Sequence, residues 1–295
     1  MSFVDFMILG AMKSGTSTLA DILSMHPEIC FCREKEPHFF SKSSDWQKDL
    51  GNYRRLYSPT ENQISGEAST TYTCYPEFNK DIWQALYDFN PKLKFIYIMR
   101  DPIERIVSHY IHNYLRGYTS EPLENIVLSQ SQYINRTRYF VQIKPYLDRF
   151  GEEQLLLLTF EEFIENKAHF LSRIADFLSI DAAKFSNFEN VHSNKSIGST
   201  KPDVRIDNFR KNSIFDPVKP LIPKTFRKII SASLYKLMEK KVDSRPKLSD
   251  QTRAAILDLL MLDILEIEKL MKRELVEWKS VNFYMNRKLK SKTRT

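Results

Sequence analysis

This chain predicts an α/β fold, with a central parallel sheet flanked by helices on both faces and a helical cap at the C-terminal end. Three observations carry that expectation. Strand-like apolar runs alternate with amphipathic helical stretches through roughly the first 180 residues. The run 154–160, QLLLLTF, is almost continuously apolar, the pattern of a strand buried on both faces. The first apolar run also empties into a glycine-containing, hydroxyl-rich loop that opens a helix, at 10–23.

The elements follow in order. Residues 3–9 read as a short buried strand ending at Gly10. A helix over 16–25 sets Leu19, Ile22 and Leu23 on one face and stops before His26-Pro27. A second short strand is expected at 28–31, and GEASTTY (66–72) as a strand end or loop. Phe78, Ile82, Leu86 and Phe89 recur at helical spacing over 77–89, and LKFIYIM (93–99) is a strand rich in β-branched and aromatic residues. Asp101 as N-cap, Pro102 at the first position and Glu104 two further on form a capping-box pattern. The helix they open carries Ile103, Ile106, Val107, Tyr110, Ile111 and Tyr114 as its apolar stripe. Helix 137–150, strand 154–160 and helix 161–178 complete the alternation. The polar, proline-dotted stretch 187–223 reads as a long loop or lid. Helices are expected at 224–241 and 249–272, the second packing Ile256, Leu259, Leu260, Ile264, Ile267 and Leu270 back on the core. The chain thus reads as one domain over 1–295: an α/β core (1–180), the loop (187–223), C-terminal helices (224–280) and a frayed basic tail (286–295).

Composition narrows the class. With 42% hydrophobic and 27% charged residues, 7 Gly and 13 Pro, collagen-like and disordered chains are excluded. No apolar run approaches the roughly 18–20 residues that cross a bilayer. The start FVDFMILGAM is broken by Asp5 and lacks a basic leader, so neither signal peptide nor membrane anchor is expected and the location expected is cytoplasmic. A net charge of +7 suits anionic ligands without indicating nucleic acid. Cys30, Cys32 and Cys74 make neither a disulfide framework nor a zinc site. Basic stretches at 219–241 and 279–295 read as solvated faces, or as an attraction for an anionic glycan or a membrane surface in peripheral contact.

The stretch GAMKSGTSTLADIL (10–23) is P-loop-like. A strand feeding a glycine loop and a helix start points backbone N–H groups at an anion, and Lys13 adds a mobile charge. Gly10 and Gly15 keep Walker A spacing and Ser17 takes the hydroxyl slot, but Thr16 fills the lysine slot and Lys13 lies two residues before Gly15. That shift argues against an ordinary magnesium-dependent nucleotide triphosphatase; the plainer alternative is a strand–helix turn with a surface lysine. A second anion site is expected where FIYIM ends in Arg100, at a strand's carboxyl end, with Ser108 eight residues on. The alternative for Arg100 is an ion pair with Asp101 or Glu104.

KSGTSTL after a first strand, followed by RDPIERIVSHY after a later one, resembles the two nucleotide signatures of sulfotransferases that use 3′-phosphoadenosine 5′-phosphosulfate (PAPS). MHPEICFCREKEPHFFS (25–41), GEASTTY, TRYFVQIKPYLDRFG and QLLLLTFEEF follow the order of the carbohydrate branch, which includes heparan-sulfate sulfotransferases and their bacterial relatives. The resemblance implies that Lys13, Ser14, Gly15, Thr16, Ser17 and Thr18 hold the 5′-phosphosulfate and that Arg100 and Ser108 hold the 3′-phosphate. It also implies that Lys195, in HSNKSIG (192–198), lies on a late loop over the nucleotide. A sulfuryl group would pass from PAPS to a hydroxyl, or to an amine, of a carbohydrate or glycosylated acceptor, releasing PAP, with no metal required.

For that chemistry Glu36, in KEPHFF, is the candidate base, its pKa expected to be raised by Phe39 and Phe40. Lys13 would neutralise the leaving phosphate. His38 is the rival base, or orients Glu36. Glu67 is expected behind the site, and Ala68 stands where many carbohydrate-branch enzymes carry a lysine. His109 and His112, three apart, read as a surface pair. Two rival functions are a magnesium-dependent kinase on the same loop and a PAP-binding protein without turnover.

Overall fold

The structure, a computed structural model, describes residues 3–76, 81–185, 200–201, 240–242 and 244–279. Its elements begin with β1 (Phe6–Gly10), α1 (Thr16–Ser24), β2 (Ile29–Phe31), α2 (Phe39–Lys42), α3 (Trp46–Arg54), β3 (Ile64–Ala68) and α4 (Ile82–Phe89). There follow β4 (Lys94–Met99), α5 (Pro102–Leu115), α6 (Leu123–Ile126), α7 (Ser131–Asn135), α8 (Tyr139–Phe150), β5 (Leu155–Thr159), α9 (Phe160–Glu165) and α10 (Lys167–Leu178). The strand pair β6 (Thr200–Lys201) and β7 (Lys240–Lys241) and the long helix α11 (Asp250–Met271) come last.

Five strands pair in the order β2-β3-β1-β4-β5, every pairing parallel, as the apolar runs predict. The period of two along each strand sorts its side chains onto two faces. Phe6, Ile8, Ile96, Ile98 and Leu158 meet α1 and α10 through Leu19, Ile22, Leu23, Phe170 and Ile174. Met7, Leu9, Phe95, Tyr97, Met99 and Leu157 meet α4, α5, α8 and α11. Where β1 lies beside β3, Phe6 is in register with Gly66, and a Cβ on Gly66 would sit 2.1 Å from the Phe6 ring. The chain leaves β1 for the β2 edge and later crosses to β4 on the other side, so the loops after β1 and β4 share the carboxyl edge at the switch in strand order.

Several boundaries differ from expectation for physical reasons. The helix expected over 161–178 is two, broken at Asn166 (φ −145°), whose carboxamide accepts from His169 N at 3.0 Å and starts α10. GEASTTY begins in β3 and ends in a 3₁₀ turn, Thr70–Thr73. At α5 the capping box is half made. Asp101 accepts from Glu104 N at 2.8 Å, but its own N–H goes to Glu161 Oε1 at 3.0 Å and the Glu104 carboxylate turns to Arg100 and Arg245. The complete capping box is at Thr159 and Glu162, opening α9. Lys240–Lys241, expected at the end of a helix, pair antiparallel with Thr200–Lys201 instead. Of the helix expected over 77–89, residues 77–80 lie outside the described residues, as do the rest of 187–223, residues 224–239 and the tail 286–295.

α11 packs chiefly on α8, with Ile256, Leu260, Ile264 and Ile267 buried, while Leu259 of the expected stripe faces outward. α8 has no side-chain cap of its own. Asp263 supplies one from α11, accepting from Phe140 N and Val141 N, both at 3.0 Å. Burial lifts the Asp263 carboxyl to about 6, outweighing those two amides, which favour its ionised form. A carboxyl with a higher pKa folded than unfolded holds its proton more tightly when folded. Its contribution is therefore fullest below about pH 4 and is lost as pH rises through 6. Asp263→Asn should abolish that dependence. Its stability deficit against wild type, read from urea midpoints, should be larger near pH 4.5 than near pH 7.5, and a deficit that grows with pH would contradict the assignment.

Candidate active site

The first component is the turn between β1 and α1. Gly15, the N-cap of α1, has φ 98°, and a Cβ there would lie 2.8 Å from the Phe160 ring, so both backbone and space demand glycine. Lys13 is also left-handed, at φ 74°. Ser14 N bonds Ala11 O at 3.1 Å, and the first bond of the helix runs from Leu19 N to Gly15 O at 3.0 Å. The N–H groups of Thr16, Ser17 and Thr18 precede that bond and have no intrahelical acceptor. No side chain caps α1 and no acid lies in its first turn, leaving the positive end of its dipole for an external anion. Ser14 is fully buried and its Oγ has no hydrogen-bond partner among the described residues. Of the six loop residues expected to act together, Lys13 and Ser14 precede the N-cap Gly15, and Thr16, Ser17 and Thr18 form the first turn of α1.

The second component lies at the end of β4, the parallel neighbour of β1. Arg100 stacks over the Phe160 ring at 4.9 Å and its Nη2 lies 3.2 Å from Glu104 Oε2. Glu104 also takes Arg245, at 2.5 Å. The ion pair weighed for Arg100 is therefore formed, with Glu104 and not Asp101. Ser108 is buried on α5. A residue that sequence reasoning missed is Arg105, wholly buried, which donates to Thr137 Oγ1 and Tyr133 O at 2.9 Å each and to Met12 O at 3.5 Å. It ties α5 to α7, to the turn before α8 and to the anion loop. Its only trace in the sequence is a second arginine in RDPIER.

The third component follows β2. Glu36 (φ 50°) and His38 (φ 54°) are both left-handed, on either side of Pro37. His38 Nε2 lies 3.3 Å from Glu36 Oε2, while His38 Nδ1 meets Thr71 Oγ1 at 2.8 Å, itself 2.6 Å from Ser41 Oγ. The hydrogen bond with His38 holds the Glu36 carboxyl below the usual carboxylate range, with the charges of His38, Lys35 and Lys13 adding to it and burial opposing. This reverses the expected upward shift. Phe39 and Phe40 are occupied elsewhere: Phe39 stacks on Tyr53 at 4.2 Å and 1°, and Phe40 packs among Tyr53, Tyr72 and Phe89. Behind the pair, Glu67 on β3 is fully buried and its carboxyl is pushed up by desolvation. Tyr53 and Tyr72 donate to its Oε1 at 2.7 and 3.0 Å, and Ser69 to its Oε2 at 2.8 Å.

Part of this framework lines a cavity of about 590 Å³; residues 13–18, Arg100 and Ser108 are not among its lining residues. Glu36, His38, Thr71, Met12 of the turn after β1, His112, Gln132 and Arg136 line it, and Tyr118, 61% exposed, stands among the lining residues. The expected surface pair of histidines is not formed. His109 is buried against Tyr133, where burial and the charges of Arg105 and Arg136 depress its pKa, and His112 faces the cavity. Thr71, Gln132, Arg136 and Tyr118 went unread because no local pattern sets them apart from ordinary polar residues. Lys195 lies outside the described residues.

The described residues contain no helix long and apolar enough to cross a membrane. A solved sulfotransferase from Alicyclobacillus acidocaldarius superposes with a TM-score of 0.62 at 22% identity, over 95% of this chain and 100% of that one, and so shares the fold. In sequence the chain is similar to heparan sulfate glucosamine 3-O-sulfotransferase 3A1 of Mus musculus, at 28% identity over 59% of this chain and 45% of that protein. It is also similar to carbohydrate sulfotransferase 15 of the same organism, at 24% identity over 59% of this chain and 43% of that protein. The chain thus spans less than half the length of these curated relatives. A family model described as the sulfotransferase domain matches residues 4–221, some three-quarters of the sequence, and the chain belongs to that family.

Proposed function

We propose that the protein transfers a sulfuryl group from PAPS to a hydroxyl of a carbohydrate or glycosylated acceptor, releasing PAP. One observation carries this reading above the others. An uncapped helix start with Lys13 and the buried Ser14 hydroxyl opens beside the same cavity as a carboxylate–imidazole pair. Transfer needs an anion cradle and a proton acceptor facing each other across the reacting oxygen. Family membership supports PAPS as donor.

The loop residues 13–18 then cradle the phosphosulfate through backbone N–H groups and hydroxyls, and Lys13 offsets the charge that gathers on the leaving phosphate. Arg100 offers its planar fork, and Ser108 its hydroxyl, to the 3′-phosphate. The acceptor oxygen lies beside Glu36, whose carboxyl His38 holds below the usual carboxylate range, and gives up its proton there. His38, braced by Thr71, fixes the carboxylate. The carbohydrate class is supported by the names of the relatives and by the lining of the cavity, where Tyr118 offers a ring and Gln132 and Arg136 offer polar contacts. An amine acceptor suits this base less well, because an ammonium must lose a proton before it can attack.

Calorimetric titration should detect PAP without added magnesium and well ahead of ATP. ATP binding that requires magnesium, with no PAP preference, would favour a kinase. In the same assay Arg100→Ala should weaken PAP by about 1.5–3 kcal/mol while sparing adenosine 5′-phosphosulfate, which lacks the 3′-phosphate; equal losses would remove Arg100 from that role. With labelled PAPS and heparan sulfate, Lys13→Ala should lower kcat by roughly 10²–10³-fold. Glu36→Gln should lower it by about 10²–10⁴-fold with PAP affinity unchanged. Because the folded Glu36 pKa is depressed, the acid limb of kcat/KM should lie below the usual carboxylate range. A limb in the ordinary range of imidazoles would hand the base role to His38.

A further inference from the structure

We propose that Glu67 is a positioning residue, holding from the interior the left-handed turn that presents Glu36 and His38 to the cavity. The inference rests on the reading of that pair as the proton acceptor. It follows from how two hydroxyls are shared. Ser69 Oγ donates to Glu67 Oε2 at 2.8 Å and accepts from His38 N at 3.0 Å. Tyr72 Oη donates to Glu67 Oε1 at 3.0 Å and accepts from Phe40 N at 3.3 Å. The buried carboxylate is thus joined by two one-hydroxyl bridges to the N-cap residue of α2 and to the second residue of its first turn.

The direction of these bonds matters. Three O–H groups converge on Glu67 and none offers it an acceptor, so the group at this position must accept on both oxygens. An ionised carboxylate does so and thereby orients each hydroxyl. The proton points inward and a lone pair points outward to a backbone N–H. Without that acceptor Ser69 is free to turn its proton elsewhere, and the N–H of His38 loses a defined partner. The segment needs such a hold, because Glu36 and His38 both adopt a left-handed conformation that non-glycine residues keep only where their surroundings impose it. A second brace, from Thr71 Oγ1 to His38 Nδ1, sets the ring, and Ser41 and Lys42 take up the His38 carbonyl, while the N–H of His38 is held by Ser69, which Glu67 orients. Glu67 touches neither the cavity nor a reacting atom and acts wholly through this turn.

The test separates positioning from bulk stability. Ser69→Ala removes the bridge to His38, whereas Tyr53→Phe removes a donor to the same carboxylate on the side of α3, leaving Tyr72 on Oε1. With labelled PAPS and heparan sulfate, Ser69→Ala should lower kcat by about tenfold or more, with the PAP dissociation constant within about twofold of wild type. Tyr53→Phe should lower Tm to a comparable extent with kcat within about twofold of wild type. Ser69→Ala should also move the acid limb of kcat/KM upward, as His38 is released from Glu36. Glu67→Gln, which still accepts on its oxygen, should keep more of kcat than Glu67→Ala; if the alanine variant does not fold, the Ser69 and Tyr53 pair decides. Equal kcat losses in Ser69→Ala and Tyr53→Phe, or kcat that tracks Tm with the acid limb unmoved, would overturn the proposal. Glu36→Gln serves as the reference. If it turns over like wild type, the reading of the pair fails; if it is slow while Ser69→Ala is not, only the role of Glu67 fails.

Discussion

Everything else in this protein depends on β1 lying between two parallel neighbours. A parallel strand exits where its neighbours exit, so the loops after β1, β3 and β4 emerge on one edge of the sheet. That places the anion turn, the Thr70–Thr73 turn and Arg100 side by side without any long-range device. Close packing protects the arrangement. A side chain at position 66 would strike the Phe6 ring, and sliding β1 by one residue would turn Met7 and Leu9 into the face built for Phe6 and Ile8. The same alternation sends Glu67, one residue past Gly66, to the opposite face, where the Tyr53 and Tyr72 hydroxyls wait.

The C-terminal part is tied to this edge by two adjacent acids. Glu161 accepts from Asp101 N at 3.0 Å and from the Trp278 indole at 3.3 Å. Glu162 pairs with both Arg173 and Arg273, each at 2.9 Å. Half-buried, hydrogen-bonded carboxylates shared by several donors hold geometry better than isolated surface pairs such as Lys144 with Asp148. Thus the start of α9 braces the residue that follows Arg100, and Arg273 and Trp278, which follow α11, brace the start of α9.

What could be read from the chain was local. β1, β4 and β5 are apolar runs whose length and composition leave little choice, and Asp101-Pro102 marks the start of α5 by capping chemistry alone. The anion loop was legible because its glycines and hydroxyls have one ordinary use together. Pairings between distant residues were not. That His38 orients Glu36 was one of two readings open from the sequence, and what decides the ring's setting is Thr71, which lies 33 residues further on in the chain. Glu67 could be placed behind the site from the sequence, but not the Tyr53, Ser69 and Tyr72 hydroxyls that close on it. The capping box at Asp101 is half made for the same reason, since distant partners took the groups that local rules had assigned, whereas the break at Asn166 is a local N-cap hidden under a continuous apolar periodicity.

Phe160 opens α9 beside the ends of both β1 and β4. Its ring is what a side chain at Gly15 would hit, and it is also the surface on which the Arg100 guanidinium rests. Two stretches far apart in sequence, the turn after β1 and the end of β4, therefore lean on one phenyl ring. That ring works as a wedge. A smaller residue there would leave both stretches unchanged in sequence while opening a void beside each, so their setting would loosen through a residue that belongs to neither.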